Sequence, residues 1–247
     1  MKNGNGHYPK KAESQQLSLT FWTSQETARG ASRAECTHAY LFGDPGKQLK
    51  VILLDEYYNA DEPGPESDLL GEEQWQWLDR ELKSGQGDVV VLGSSIQLLP
   101  SEHPYDHWGN YPKARKRMLQ LLADSKPRLT VILSGDRHLA EISRADDPGL
   151  PYPLYEVTSS GLTHHVDFMY HLRSLVSRET NRYRVGELFY EKNFGLVDIH
   201  WSTGSPILSL QIRDQENRVQ RQASSLPLKP RFATQWQNVK SWTLLVD

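Results

Sequence analysis

The chain has 247 residues, of which 37% belong to the hydrophobic set and 24% are charged, which is enough for a buried core and excludes a disordered tail or a mini-scaffold. Its 28 Lys and Arg against 31 Asp and Glu leave a net charge of −3, so no whole-protein field would draw it onto nucleic acid or an anionic membrane. The one cysteine, Cys36, excludes an internal disulfide framework and any Cys-rich zinc or iron–sulfur site.

The first residues, Met1 to Pro9, lack the apolar stretch of a secretory signal, and read as they stand they predict a cytoplasmic chain. Glu13–Gln16 reads as ordinary helix surface. No apolar run approaches the ~20 residues of a membrane-spanning helix, so no membrane span is expected. Short β-branched and Leu-rich runs predict strands at Leu49–Asp55, Asp88–Ser94, Leu129–Ser134 and Pro153–Thr158. The first three have the continuous apolar character of strands covered on both faces. Helices separate them. Glu72–Lys83 has acids in its first turn and Trp75, Leu78 and Leu82 on one stripe, and Tyr111–Ala123 has Pro112 near its first position with Met118, Leu119, Leu121 and Leu122 inward. This rhythm predicts an α/β core with a parallel or mixed sheet. After about residue 168 a charged stretch, Arg173–Glu191, precedes three alternating runs, Gly195–Trp201, Ile207–Arg213 and Arg218–Gln222, which predict a meander closing a second sheet. The expected whole is one domain over residues 1–227, a two-sheet sandwich flanked by helices, with a tail over 228–247 whose Trp236, Trp242 and Leu244–Val246 dock on it.

In an open α/β sheet, ligands gather beyond the carboxyl ends of the strands. Four such ends are polar here: Asp55-Glu56-Tyr57-Tyr58, Gly93-Ser94-Ser95-Ile96-Gln97, Ser134-Gly135-Asp136-Arg137-His138 and Ser159-Ser160-Gly161-Leu162-Thr163-His164-His165. Asp136 and His138 offer a carboxylate and an imidazole that suit one divalent or trivalent cation, and Arg137 between them could fork onto a phosphate oxygen. The same residues also suit an Asp capping the next helix beside a His that is merely hydrogen-bonded. His164 and His165 offer a further ligand or a general acid, or an exposed turn. Lys113–Arg117 reads as a solvated helix face rather than a nucleic-acid patch, and Trp75 reads as core rather than a stacking platform.

Seven segments in order then carry a resemblance. They are Tyr8-Pro9-Lys10-Lys11, Val51–Asp55, Leu70–Leu78, Ser95–Pro100, Trp108–Arg115, Ser134–His138 and Tyr155–His164, and together they resemble the alkaline phosphatase D (PhoD-like) metallophosphatases over roughly residues 8 to 227. The resemblance implies a calcineurin-like metallophosphoesterase sandwich and metal-dependent hydrolysis of phosphoric esters, monoesters or diesters. It implies Asp136 and His138 as metal ligands, His164 and Arg137 as catalytic groups, and Gln97, Asp55 and Trp108 as substrate-binding groups. The metal would be divalent or trivalent, of the Fe, Ca, Mn or Zn class. In the family a segment bearing the first metal aspartates and a Trp-Asp-Asp-His-Asp motif precedes Tyr-Pro-Lys-Lys. This chain begins just after that point, and Glu56-Tyr57 stands where the family usually shows Thr-Arg. The departures imply an N-terminally incomplete sandwich with an open sheet edge that a second copy or another partner could cover. They also imply an alternative: a non-catalytic remnant that binds through the same cleft. Many family members are exported.

Overall fold

Apolar strands flanked by amphipathic helices form a mixed sheet of seven strands in the computed structural model, which describes residues 4–22, 37–125, 127, 129–146, 149–165, 179–201, 206–225 and 241–246. In chain order the elements are α1 (Lys11–Trp22), β1 (His38–Phe42), β2 (Leu49–Leu53), α2 (Glu72–Lys83), β3 (Val89–Gly93), a single 3-10 turn (Trp108–Asn110), α3 (Pro112–Ser125), β4 (Thr130–Ser134), β5 (Ala140–Ala145), β6 (Leu154–Ser159), β7 (Arg184–Phe189), β8 (Asn193–His200), β9 (Ile207–Asp214), β10 (Val219–Ser224) and β11 (Ser241–Val246). The large sheet runs β1-β2-β3-β4-β6-β5-β7, and β2, β3, β4 and β6 are parallel to their neighbours in that order. Their carboxyl ends therefore share one edge. The second sheet runs β10-β9-β8-β11 and is antiparallel throughout.

Alternation within each strand divides the core in two. Val90 and Leu92 of β3 face Trp75, Leu78, Leu82, Met118 and Leu122 of α2 and α3. Val89 and Val91, one residue out of phase, face Val197, Ile199, Leu208, Leu210 and Ile212 of the second sheet. A strand buried on both faces needs apolar residues at every position, and β3 supplies them. Trp75 is core, as expected, with its indole N–H on Asp68 Oδ1 at 2.7 Å and the Arg117 guanidinium 4.6 Å above its ring.

Several elements lie where the sequence pattern is silent. The run expected at Leu49–Asp55 ends two residues early because the Gln74 amide takes over the backbone of Asp55, accepting its N–H at 3.0 Å and donating to its carbonyl at 2.7 Å. Strands β5 and β7 sit inside Ala140–Ala145 and the charged stretch. Their polar side chains Glu141, Ser143 and Arg184 meet buried partners, which removes the apolar alternation that a strand usually shows. Within the expected tail, Ser241–Val246 pairs antiparallel with β8, while Trp236 lies outside the described residues, as do Arg173 and Cys36. No helix among the described residues is long and apolar enough to cross a membrane.

Candidate functional site

The four polar strand ends converge on one edge and are tied together in series by hydrogen bonds, Glu56 to Ser95, Gln97 to Arg137 and His138 to Ser160. The loop after β3 is the buried one. Past Ser94, whose N–H still reaches the Leu133 carbonyl of β4 at 2.9 Å, the N–H groups of Ser95, Ile96, Leu98 and Leu99 need acceptors from outside the ladder, and an unpaired buried amide costs about as much as a lost hydrogen bond. Two buried carboxylates supply the acceptors. Glu56 Oε2 accepts the N–H of Ser95 at 2.6 Å and of Ile96 at 3.2 Å, and Glu156 Oε1 and Oε2 accept those of Leu98 at 3.0 Å and Leu99 at 2.6 Å. The carbonyls of Leu98 and Leu99 accept from Arg115, and that of Gln97 from the Trp108 N–H. Trp108 is fully buried, and its indole N–H points at Glu56 Oε1 and Ser94 Oγ, both at 3.1 Å. Burial pushes the Glu56 carboxyl above its ordinary range against the pull of its Ser94 and Ser95 hydrogen bonds. Burial likewise raises Glu156 to about 7, with the charge of Glu141 adding to the rise and hydrogen bonds from Ser134, Leu99 and Leu98 opposing it.

The turn between β4 and β5 is the strained one. The Arg137 N–H bonds the Gly135 carbonyl two residues back at 2.9 Å, which makes Asp136, at φ 67°, the centre of a γ-turn in the left-handed region. His138 follows at φ 54°, and its N–H donates to Ser160 Oγ at 2.7 Å, which ties the turn to the end of β6. Non-glycine residues with positive φ are uncommon, and two within three residues mark a backbone held in place by its surroundings. The result is an alternation of side chains. Asp136 and His138 are exposed, and Arg137 between them is only 6% exposed. His164, from the loop after β6, is exposed beside His138, with ring centroids 6.0 Å apart and planes tilted by 33°.

Arg137 is thus placed beneath the surface rather than on it. Its Nη1 donates to Gln97 Oε1 at 2.9 Å, its Nη2 pairs with Glu179, and its guanidinium lies 4.8 Å from the Tyr105 ring centroid. Gln97 is fully buried, donating to Glu141 Oε1 at 2.7 Å and Thr158 Oγ1 at 2.8 Å. Asp55 is half-buried, and its Oδ1 accepts the Tyr58 N–H at 3.1 Å. Of the seven residues singled out from sequence, the structure therefore gathers Asp136, His138 and His164 on the surface. It places Arg137 and Gln97 directly below and in contact with each other, and it sets Trp108 in the core under the β3 loop.

Residues that the sequence did not single out complete the site. Tyr57 is half-buried, and its phenol is pushed up by burial first and then by the negative charges of Asp106 and Asp136, so it presents a neutral hydroxyl near the carboxylate. His103 and His107 pack edge to face, with ring centroids at 4.5 Å, and flank Arg137. Burial, then the Arg137 charge, depresses His103 to about 3, and burial lowers His107 too. Both are neutral imidazoles at ordinary pH. A 470 Å³ cavity between α3 and the Ser101–Gly109 loop, and a 990 Å³ groove lined by Glu179, Asn181, Arg184 and Arg221, are not lined by Asp136, His138 or His164.

The donor set decides how far a metal fits. Among the described residues no group of three or more His, Cys, Asp or Glu side chains is placed to hold an ion. Asp136, His138 and His164 are thus not placed as the three convergent ligands by which a hydrolytic ion is usually held, and by themselves they do not make a complete metal centre. What the arrangement offers is an exposed carboxylate and two imidazoles on a rigid, charge-laced base.

A family model described as PhoD-like phosphatase matches residues 31–206. No curated protein matches the chain. Among solved structures, one titled "Structure of PhoD" is similar with a TM-score of 0.60 at 15% identity, over 94% of this chain and 54% of that one. GAP50 of Plasmodium, described as the anchor in the inner membrane complex, is similar with a TM-score of 0.54 at 13% identity, over 80% of this chain and 56% of that one. Identities this low speak for the fold. The chain spans about half the length of each.

Proposed function

The chain belongs to the PhoD-like phosphatase family, and from that premise we propose that it serves phosphoric ester hydrolysis at the carboxyl edge of β2, β3, β4 and β6. One observation carries the reading. The β4–β5 turn keeps two positive-φ residues, one on either side of Arg137, and presents both of them, Asp136 and His138, to solvent beside His164. Backbone strain retained at a strand end is a pointer to function, because a structural turn would relax it with glycine.

The residues divide the work by exposure. An imidazole can give or take a proton near neutral pH, so His138 and His164 are the groups able to protonate a leaving alkoxide or accept a proton from attacking water. Asp136 orients whatever cation or proton donor approaches the ester oxygens, and Tyr57 adds a neutral hydroxyl donor. Arg137, paired with Glu179 and Gln97, holds the turn from below instead of reaching the ester. The family is generally metal-dependent. The described side chains do not complete a metal centre, so no step of the reaction is derived through one.

The test is hydrolysis of p-nitrophenyl phosphate and bis(p-nitrophenyl) phosphate by the purified chain, with and without added Fe, Ca, Mn or Zn salts, against Asp136→Asn and His138→Ala. Turnover that falls by about 10²-fold or more in both variants supports the reading, since removing one acid–base group costs about that much. Equal rates in wild type and variants defeat it. A second reading, a non-catalytic module that binds a ligand on the same edge, is favoured by the absence of a three-ligand group among the described residues. Saturable binding of inorganic phosphate with no turnover under any metal would select it.

A further inference from the structure

Arg137 and Gln97 belong to a closed ring of buried and half-buried polar groups, and the ring converges on a buried residue that has no place in the chemistry described so far. Arg137 Nη1 donates to Gln97 Oε1 at 2.9 Å, and Gln97 Nε2 donates to Glu141 Oε1 at 2.7 Å. Arg184 Nε donates to Glu141 Oε2 at 2.7 Å, and Arg184 Nη1 donates to the Glu179 carbonyl at 3.1 Å. The Glu179 carboxylate closes the circuit on Arg137. Two cations, two anions and one neutral amide alternate so that the ring as a whole carries no net charge. Asn181 braces it, donating to Glu141 Oε2 at 3.0 Å and to Ser143 Oγ at 2.9 Å.

Glu141, 1% exposed, is the node of this circuit: both of its oxygens are used, and they link the β3 loop, through Gln97, to the start of β7, through Arg184. We propose that Glu141 is the positioning residue of the Asp136–His138 turn, acting through Gln97 and Arg184 to hold the Arg137 guanidinium beneath the surface. The physical logic is one of alternation. In three successive residues the inward anchoring of the middle side chain turns the two flanking ones outward, and the anchor is only as firm as the groups that fix it. Loss of the Glu141 charge leaves Arg184 without its ion-pair partner and Gln97 without its carboxylate acceptor, so the two groups that fix Arg137 and Glu179 loosen and Arg137 is freed toward solvent. Misplacement of a catalytic group by about 1 Å can cost about 10²-fold in rate. The catalytic half of this inference rests on the phosphatase reading; the positioning half does not.

The experiment uses the full chain in three forms: wild type, Glu141→Gln, and the transposed pair Gln97→Glu with Glu141→Gln. The transposition moves the negative charge one link along the ring, where a carboxylate at position 97 accepts from Arg137 and an amide at 141 accepts from Arg184 and Asn181, so the net charge and the ring's contacts are kept, with the 97–141 bond reversed in direction and the Thr158 hydroxyl turned to donate to position 97. Two readouts are taken: hydrogen exchange at the His138 amide, which bonds Ser160 Oγ, and kcat and KM for p-nitrophenyl phosphate. Glu141→Gln is expected to speed His138 exchange by about tenfold or more while amides of β9 keep their protection. It should lower kcat by about 10²-fold with KM changed by less than about threefold. The transposed pair restores both to near wild type. Unchanged His138 exchange in Glu141→Gln, or a transposed pair as impaired as the single variant, overturns the positioning claim. Absence of turnover in wild type overturns the phosphatase reading and leaves exchange at His138 to decide the position of the turn.

Discussion

Asp136 holds φ at 67° although a β-carbon makes that region costly by roughly 1–2 kcal/mol, with Asp among the few side chains that visit it. Glycine would remove the strain and add about 0.5–1 kcal/mol of unfolded-state entropy, so the two effects nearly cancel. Asp136→Gly is therefore expected to leave the unfolding free energy from urea titration within about 1 kcal/mol of wild type or to raise it, while Asp136→Val loses about 1–3 kcal/mol. A strongly destabilised glycine variant would mean that the carboxylate, and not function, is what holds the turn. The strand-end motif was readable because Ser-Gly-Asp-Arg-His follows an apolar run. The burial of Arg137 was not readable, because it depends on Gln97 and Glu179, each about 40 residues away along the chain. Sequence spacing showed three adjacent polar side chains, and only the folded turn, which carries the chain from β4 across β6 to β5, decides that the middle one faces in.

At the scale of elements, the β3 loop hangs on Glu56 and Glu156, and this gives the fold a pH dependence with a definite sign. Glu156 is raised from 4.5 to about 7 by burial, so between those values the folded state binds a proton that the unfolded state has lost. Its contribution is then complete below about pH 4.5 and is lost as pH rises through about 7, on the order of 3 kcal/mol. Glu56 shifts in the same direction. His103, depressed from 6.5 to about 3, works the other way, contributing stability above pH 6.5 that is lost as pH falls. Urea unfolding of Glu156→Gln against wild type at pH 5 and pH 8 separates the two effects: wild type should weaken more than the variant across that interval. An identical slope in both would show that Glu156 does not titrate there. Strands β2, β3, β4 and β6 were legible from their β-branched runs, as were the helices from their apolar stripes. Strands β5 and β7 escaped because Glu141, Ser143 and Arg184 occupy buried positions where a pattern reader looks for Val or Ile.

At the scale of the molecule, one mixed sheet faces α2 and α3 on one side and a second, antiparallel sheet on the other, and buried Glu56, Arg137, Glu141 and Glu156 lie with the strained Asp136–His138 turn toward a single edge. The opposite character appears at β1, which ends the large sheet among the described residues and exposes Tyr40, Leu41 and Phe42, with His38, Tyr40 and Phe42 stacked along one face. Pattern and resemblance anticipated the two-sheet arrangement. They did not anticipate that this carboxyl edge would be built on a neutralised ring of charge, since those partners are matched by topology and not by proximity in the chain. The central claim is that the carboxyl edge around Asp136, His138 and His164 receives a phosphoryl group. Its most direct measurement is a crystal structure of the chain grown with vanadate, a mimic of the phosphoryl group in flight. The account predicts the oxyanion seated against His138 and His164, with Arg137 still bound to Gln97 beneath it; vanadate bound elsewhere on the molecule, with that edge bare, would contradict it.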